Sequence, residues 1–384
     1  MRRDVARPER SMALVPTPAC GQPNAPGSPQ PDGEAVLRYL RTPAAHAAHA
    51  GTAVQVETIE THMSWVFLAG DHVLKLKKPV RYPFLDFSTP AAREAACREE
   101  VRLNARLAPG VYRGLMVLQW RGGALTVVAE AAADPQAVTL DWLVWMRRLP
   151  QARMLDRAIA AGTVEAAAID ALAGVLAAFH RGAQIVEIDP AEYVARFQRE
   201  QAVSREVLLR PQFHLDGAAA ALDALDAALL ARRDALERRA AQHRIVDGHG
   251  DLRPEHVCLL QPPVVVDCLE FNARLRQVDP LDELAFLSLE CELAGAPWIG
   301  ARLLERHRAL LEDPAPAALL DLYTAYRAML RARLAMAHLL DPQPRTPQRW
   351  APLAQRYVAR ALQALRAVDE AANAASPATS RGTR

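Results

Sequence analysis

Residues 249–272, HGDLRPEHVCLLQPPVVVDCLEFN, hold the side chains best suited to chemistry. His249 and Asp251 sit in a short polar stretch, an apolar run follows, and Asp267 closes the valine run Val264–Val266. That layout predicts a small hairpin with two carboxylates at one end. Asp251, in a loop before a strand, is free to receive or orient a proton, help worth about 10²–10⁴-fold. Asp267 leaves an apolar strand, where an unpaired carboxylate is costly, so it is expected to serve a cation or a specific donor. Phosphoryl transfer needs those two jobs side by side. The plainer reading of Asp251 alone is a cap on the turn Leu252–Pro254.

A compositional bias points the same way. Of 46 basic side chains only three are lysine, and Lys75, Lys77 and Lys78 all fall within Val73–Lys78. Arginine replaces lysine on most solvated surfaces, so lysine kept in one place suggests a need for a compact point charge. On a strand, Lys75 and Lys77 share one face and Lys78 points away, which assigns Lys78 to the surface.

Those residues must be positioned by a scaffold, and 384 residues suffice for two lobes. Thr52–Ile59 alternates; Ser64–Leu68 and His72–Lys77 flank a turn at Ala69–Asp71, and Leu115–Trp120 and Ala124–Val128 flank Arg121–Gly123. Thr89-Pro90 caps a helix that runs to Leu107 and stops at Pro109-Gly110. After Pro150, leucine and alanine recur at helical spacing over 151–182, 190–210, 217–242 and 280–370. The expected fold is α+β and two-lobed. A disordered tail spans 1–33, a β-rich N-lobe of about five strands spans 34–145, and a hinge spans 146–150. A helical C-lobe spans 151–371 with the hairpin 245–272, and a flexible tail spans 372–384.

Composition narrows the partners. A net charge of +2 with both signs interspersed predicts no nucleic-acid groove and no anionic membrane surface. No run approaches the length of a membrane span. Five cysteines without a CxxC pair fit a reduced cytoplasmic compartment.

HGDLRPEH resembles the catalytic loop of protein kinases and, more closely, the HGD loop of aminoglycoside and choline kinases. Leu176–His180 resembles the helix before that loop, and Val278–Ala285 the helix start after it. The stretches THMSWVFL, VLKLKKPV, FLDFST and EEVRLNARLAPGVYRG within 62–116 resemble an uncharacterised bacterial branch of aminoglycoside-phosphotransferase-like proteins. Some members of that branch are fused to a downstream P-loop ATPase. The resemblance covers roughly residues 34–365. It implies a protein-kinase-like fold, ATP and Mg²⁺ as cofactors, a small-molecule hydroxyl as acceptor, and a separate P-loop ATPase as a partner.

The same resemblance implies site roles. Asp251 would be the base, Asp267 a metal ligand, and Lys75 the holder of the α- and β-phosphates, with Lys77 the alternative. Glu100 would aim the lysine, with Glu99 the alternative, because Glu100 precedes Leu103 and Leu107 at core-facing spacings. Met146, Arg147 and Leu149 would read adenine at the hinge, Met146 and Leu149 as apolar walls. Two departures stand out. His256 occupies the position of a second metal ligand that is usually Asn, and imidazole suits zinc better than magnesium. Thr61–Ser64 replaces a glycine-rich phosphate loop. Arg253 could touch the γ-phosphate, His249 would brace the loop, and Asp279 and Asp282 read as helix caps. Glu290 and Glu292 read as a solvated helix face, or as lining for a cationic acceptor.

Three functions are consistent with these residues. The first is an ATP- and Mg²⁺-dependent phosphotransferase. The second is a nucleotide-binding, pseudokinase-like regulatory module. The third is a metallohydrolase using His249, Asp251, His256 and Asp267.

Overall fold

The computed structural model describes residues 30–51, 54–82 and 85–375. The expected N-terminal tail, up to residue 29, and residues 376–384 lie outside the described residues, as does Cys20. A six-stranded sheet runs, in spatial order, Val56–Glu60, Ser64–Ala69, His72–Lys77, Val138–Arg147, Tyr112–Arg121 and Ala124–Ala129. Every neighbouring pair is antiparallel. The sequence expectation of five strands missed Val138–Arg147. That strand lies centrally between the lysine strand and Tyr112–Arg121, and its middle is apolar enough to be buried on both faces.

Alternation decides what each face meets. Leu74 and Leu76 join Met116, Leu118 and Leu143 under the helix Gly33–Leu40. The opposite face presents Lys75 and Lys77, with Leu115 and Val144, to the helix Pro90–Asn104. That helix begins as its sequence predicts: the Thr89 hydroxyl accepts from the Ala92 amide at 3.2 Å, and Pro90 occupies the first turn.

The C-terminal half is helical, with long helices Ala166–Gly182, Pro190–Leu208, Ala218–Ala231, Pro280–Leu293, Pro297–Leu311, Ala317–Ala337 and Trp350–Ala375. The last of these extends four residues into the expected flexible tail. Two apolar cores form. One gathers Leu222, Leu322, Tyr323 and Tyr357; the other joins Leu172, Leu176, Leu284 and Ile299 to Leu252 and Val265 of the catalytic segment. The expected hairpin is present: Val257–Cys258 pairs with Val264–Val265. It is attached to the N-lobe through the Val265 amide, which donates to Leu107 carbonyl at 3.1 Å. Leu107 is not within the helix as expected, since the helix ends at Asn104, three residues earlier. No helix among the described residues is long and apolar enough to cross a membrane.

Candidate active site

The lysine strand and the Pro90–Asn104 helix meet at Glu100, which is wholly buried. Lys75 Nζ donates to Glu100 Oε1 at 2.9 Å and to Asp267 Oδ1 at 2.7 Å. Lys77 Nζ donates to Glu100 Oε2 at 2.6 Å and to Glu270. Both lysines therefore reach the helix, and Lys75 alone of the two reaches Asp267. Burial pushes Glu100 up, but the two ammonium groups outweigh it and hold the carboxyl below its usual range. Glu99 points elsewhere, to Arg102 and Arg276. Lys78 pairs with Glu60 at 2.5 Å, away from the site.

Asp267 adopts a left-handed backbone, φ 65°, a conformation that costs a non-glycine residue free energy and recurs at functional positions. Asn104 secures the next residue along. The Asn104 amide donates to Glu100 carbonyl at 2.9 Å, and its oxygen accepts from the Cys268 amide at 2.9 Å. The Asp267 side chain is 47% exposed. Lys75 beside it holds its carboxyl far below the usual range.

The HGD loop is built from backbone bonds. Glu283, buried in the helix Pro280–Leu293, accepts from the amides of His249, at 2.8 Å, and Gly250. His249 Nε2 donates to Val266 carbonyl at 3.0 Å and its Nδ1 accepts from the Asp251 amide at 3.2 Å, so the ring braces the loop as expected. Gly250 has φ +87° and its absent Cβ would lie 2.9 Å from Leu275 carbonyl, so only glycine fits. Arg106, just past the N-lobe helix, donates to the carbonyls of Asp247 and Gly248 at 2.8 and 2.9 Å.

These constraints bring the two acids to one place. His256 Nδ1 lies 2.8 Å from Asp251 carbonyl, which can only accept, so that nitrogen carries a proton. His256 Nε2 lies 3.4 Å from Arg253 Nη2 and 3.6 Å from Asp267 Oδ2. Arg253 Nη2 donates to Asp251 Oδ2 at 2.8 Å and Nη1 to Glu255. Burial raises the Asp251 carboxyl, but Arg253 and His256 outweigh it and leave it below its usual range.

Asp267 and His256 offer two donors, and no group of three or more His, Cys, Asp or Glu among the described residues is arranged to hold a metal. The Asp267 carboxylate fits Mg²⁺, which keeps waters and takes phosphate oxygens alongside one or two carboxylates, whereas the His256 imidazole is the less suited ligand of the two. The four-ligand metallohydrolase set does not form, since both nitrogens of His249 are occupied, by Val266 carbonyl and the Asp251 amide.

The hinge differs from expectation. Met146 and Arg147 lie in the strand Val138–Arg147, leaving Arg148–Pro150 as the crossing. The Arg147 amide donates to Val111 carbonyl at 2.8 Å and the Arg148 amide to Asp71 carbonyl at 2.7 Å, so those two donors are already engaged. Met146 packs with Cys97, Leu115 and Val144, whereas Leu149 packs with Val111, Cys258 and Val264; the two expected walls belong to different clusters. In the turn that replaces a glycine loop, the Ser64 amide donates to the Thr61 hydroxyl at 3.0 Å and Ser64 is buried, so neither is free for a phosphate.

Other acids are paired. Asp279 caps its helix through the Leu281 amide and also receives Arg239 and Tyr323, but Asp282 is no cap: it takes both prongs of Arg327. Glu290 binds Arg331 and Tyr357, and Glu292 binds Arg360, so neither is a bare solvated face. Glu270, Glu283 and Asn104 carry site geometry that sequence reading did not single out.

No family model matches the chain. Uncharacterised proteins of Mycobacterium tuberculosis and Mycobacterium bovis are 33% identical over 304 residues, which is 75% of this chain and 56% of theirs; the chain spans about half the length of these curated relatives. Among solved structures, a choline kinase from Cryptosporidium parvum aligns over 89% of this chain and 97% of its own, with a TM-score of 0.52 and 8% identity. An aminoglycoside phosphotransferase from Streptomyces rimosus aligns over 77% and 98%, with a TM-score of 0.45 and 20% identity. A choline kinase is thus a structural neighbour, in line with the sequence resemblance. On the likeness to the choline kinase, and on a β-sheet lobe joined to a helical one, the chain has the two-lobed, protein-kinase-like fold.

Proposed function

We propose that the chain is an ATP- and Mg²⁺-dependent phosphotransferase that moves the γ-phosphoryl group to a hydroxyl of a small molecule. One observation carries the reading: Lys75 from the N-lobe sheet bonds both Glu100 and Asp267, and Asp267 lies beside the His256 ring that is anchored on Asp251. A cation for the phosphates, a metal carboxylate and a base carboxylate converge from three separated segments. Asp267, with His256 Nε2, would hold Mg²⁺, which when bound neutralises charge on the phosphates. Lys75 would turn from Asp267 to the α- and β-phosphates, kept in line by Glu100. Asp251, held ionised, would orient the acceptor hydroxyl and take its proton, while Arg253 would steady the carboxylate. Catalysis on this reading is positioning and electrostatics rather than covalent chemistry. Replacing Asp251 by Asn removes proton acceptance with little change in shape. Turnover should fall by at least about 10²-fold while Mg-ATP still binds; unchanged transfer would falsify the assignment.

A second reading, a nucleotide-binding module with little turnover, draws on His256 in place of Asn and on the engaged amides of Ser64, Arg147 and Arg148. Binding of Mg-ATP without transfer to any hydroxylated acceptor would favour it.

A further inference from the structure

The proposed reaction employs one of the two lysines that face the N-lobe helix. Lys77 is the more deeply placed: its side chain is 1% exposed, against 16% for Lys75. An ammonium group there must be matched by acids, since a buried charge without a partner is strongly unfavourable. It has two, Glu100 and Glu270. Glu100 is consequently shared, one oxygen for each lysine. Glu270 lies three residues beyond Asp267 on the same C-lobe segment. The five side chains alternate in sign as Asp267, Lys75, Glu100, Lys77, Glu270, so the chain of ion pairs leaves that segment, crosses the N-lobe and returns to it. Its ends are unlike. Asp267 is 47% exposed and Glu270 only 8%. The outer pair, Lys75 with Asp267, is accessible to exchange for nucleotide; the inner pair, Lys77 with Glu270, is sealed.

We propose that Lys77 and Glu270 are positioning residues that keep Glu100 and the segment 267–270 in register while Lys75 exchanges Asp267 for the phosphates of a bound nucleotide. The inference rests on the phosphotransferase reading. Without the inner pair, loss of the Lys75–Asp267 bond would leave, among the described residues, only neutral groups of this segment tied to N-lobe side chains. These are the Cys268 amide, which donates to Asn104, the Cys268 sulfur, which accepts from Arg106, and the Asp267 amide, which donates to Tyr112.

The test is the paired replacement Lys77→Met with Glu270→Leu, because exchanging both members of a buried ion pair for apolar groups of similar volume often leaves stability unchanged or raised. Mg-ATP affinity is read by calorimetric titration, the folded state by thermal unfolding without nucleotide, and kcat and KM for ATP with any acceptor the parent phosphorylates. The variant should stay folded yet bind Mg-ATP at least about tenfold more weakly, as happens when the residues supporting a ligand-holding group are lost. Parent-like affinity in the folded variant overturns the proposal, since a purely structural pair would change only the unfolding temperature. If the double variant does not fold, Glu270→Gln alone decides on the same two outcomes. A parent protein that binds no Mg-ATP overturns both this inference and the reading beneath it. A parent that binds, with a double variant that binds equally well, overturns the inference alone.

Discussion

At the scale of residues, the site depends on a few groups whose partners are already in place. Asp267 is tied to Lys75, and that ammonium keeps its carboxyl ionised far into the acid range. Asp267→Ala should therefore weaken Mg-ATP binding by about tenfold or more, through loss of the metal carboxylate, and titration calorimetry with and without Mg²⁺ checks this. Equal affinities with and without the metal in the parent would contradict the role. Gly250→Ala forces a methyl group to within 2.9 Å of Leu275 carbonyl in a left-handed backbone, and should cost about 1–3 kcal/mol in urea unfolding. That Lys75, Glu100 and Asp267 would meet was legible in the sequence: from the confinement of lysine to one strand, the spacing of Glu100 before Leu103 and Leu107, and the end of a valine run. Glu270 and Lys77 were harder to place. Two lysines on one strand face are equivalent until the height of the opposing helix is known, and nothing local marks a glutamate that pairs across 193 positions.

At the scale of elements, one helix and one loop are joined by a carboxylate. Glu283 gathers the His249 and Gly250 amides on one oxygen and His180 Nε2 on the other, and His180 in turn meets His307 at 2.8 Å. Glu283→Gln keeps the shape but weakens these charge-assisted bonds. It should lower stability by about 1–3 kcal/mol and reduce turnover more than Mg-ATP affinity, measured by chemical unfolding and by steady-state kinetics. A variant with full turnover would show that the loop holds itself. The sequence did signal a helix start at Asp279-Pro280, and a helix forms there. What it could not convey is that the first turn's acids face inward, Asp282 to Arg327 and Glu283 to the loop. Acids in a first turn are favoured by the helix dipole wherever they point. The strand Val138–Arg147 was missed for a related reason. Only Val138–Trp142 alternates; the strand then continues as the apolar run Trp142–Met146, buried on both faces at Leu143 and Val144, which periodicity alone does not assign to a strand.

At the scale of the molecule, the two halves are held by polar contacts as well as packing. Arg345, from the connection between the last two long helices, reaches Glu60 at 2.9 Å, and the ring of His338 meets that of His62 in the turn that stands where a glycine loop was sought. Within the C-lobe, burial and the neighbouring His180 push His307 down to about 3. The unfolded chain takes a proton there near 6.5, so between about pH 3 and 6.5 the unfolded state holds the extra proton. Stability should then fall as pH drops below about 6.5, by up to about 1.4 kcal/mol per pH unit from this group. Urea unfolding of the parent and of His307→Gln at pH 7 and pH 5 measures it. The variant should depend on pH less steeply by about one proton, and equal slopes would show that His307 does not contribute. The two-lobed plan was readable from the change of period after Pro150. The contacts of Arg345 with Glu60 and of His338 with His62 were not, because each is made by single side chains that no local pattern marks.

On the proposed function, Asp251, Asp267 and Lys75 form one phosphoryl-transfer centre. Its most direct test is incubation of the purified protein with Mg²⁺, γ-labelled ATP and a pool of hydroxylated metabolites, with the parent and Asp251→Asn side by side. Label is expected in a small molecule with the parent, and none with the variant although it still binds Mg-ATP. Transfer by Asp251→Asn at the parent's rate would contradict it.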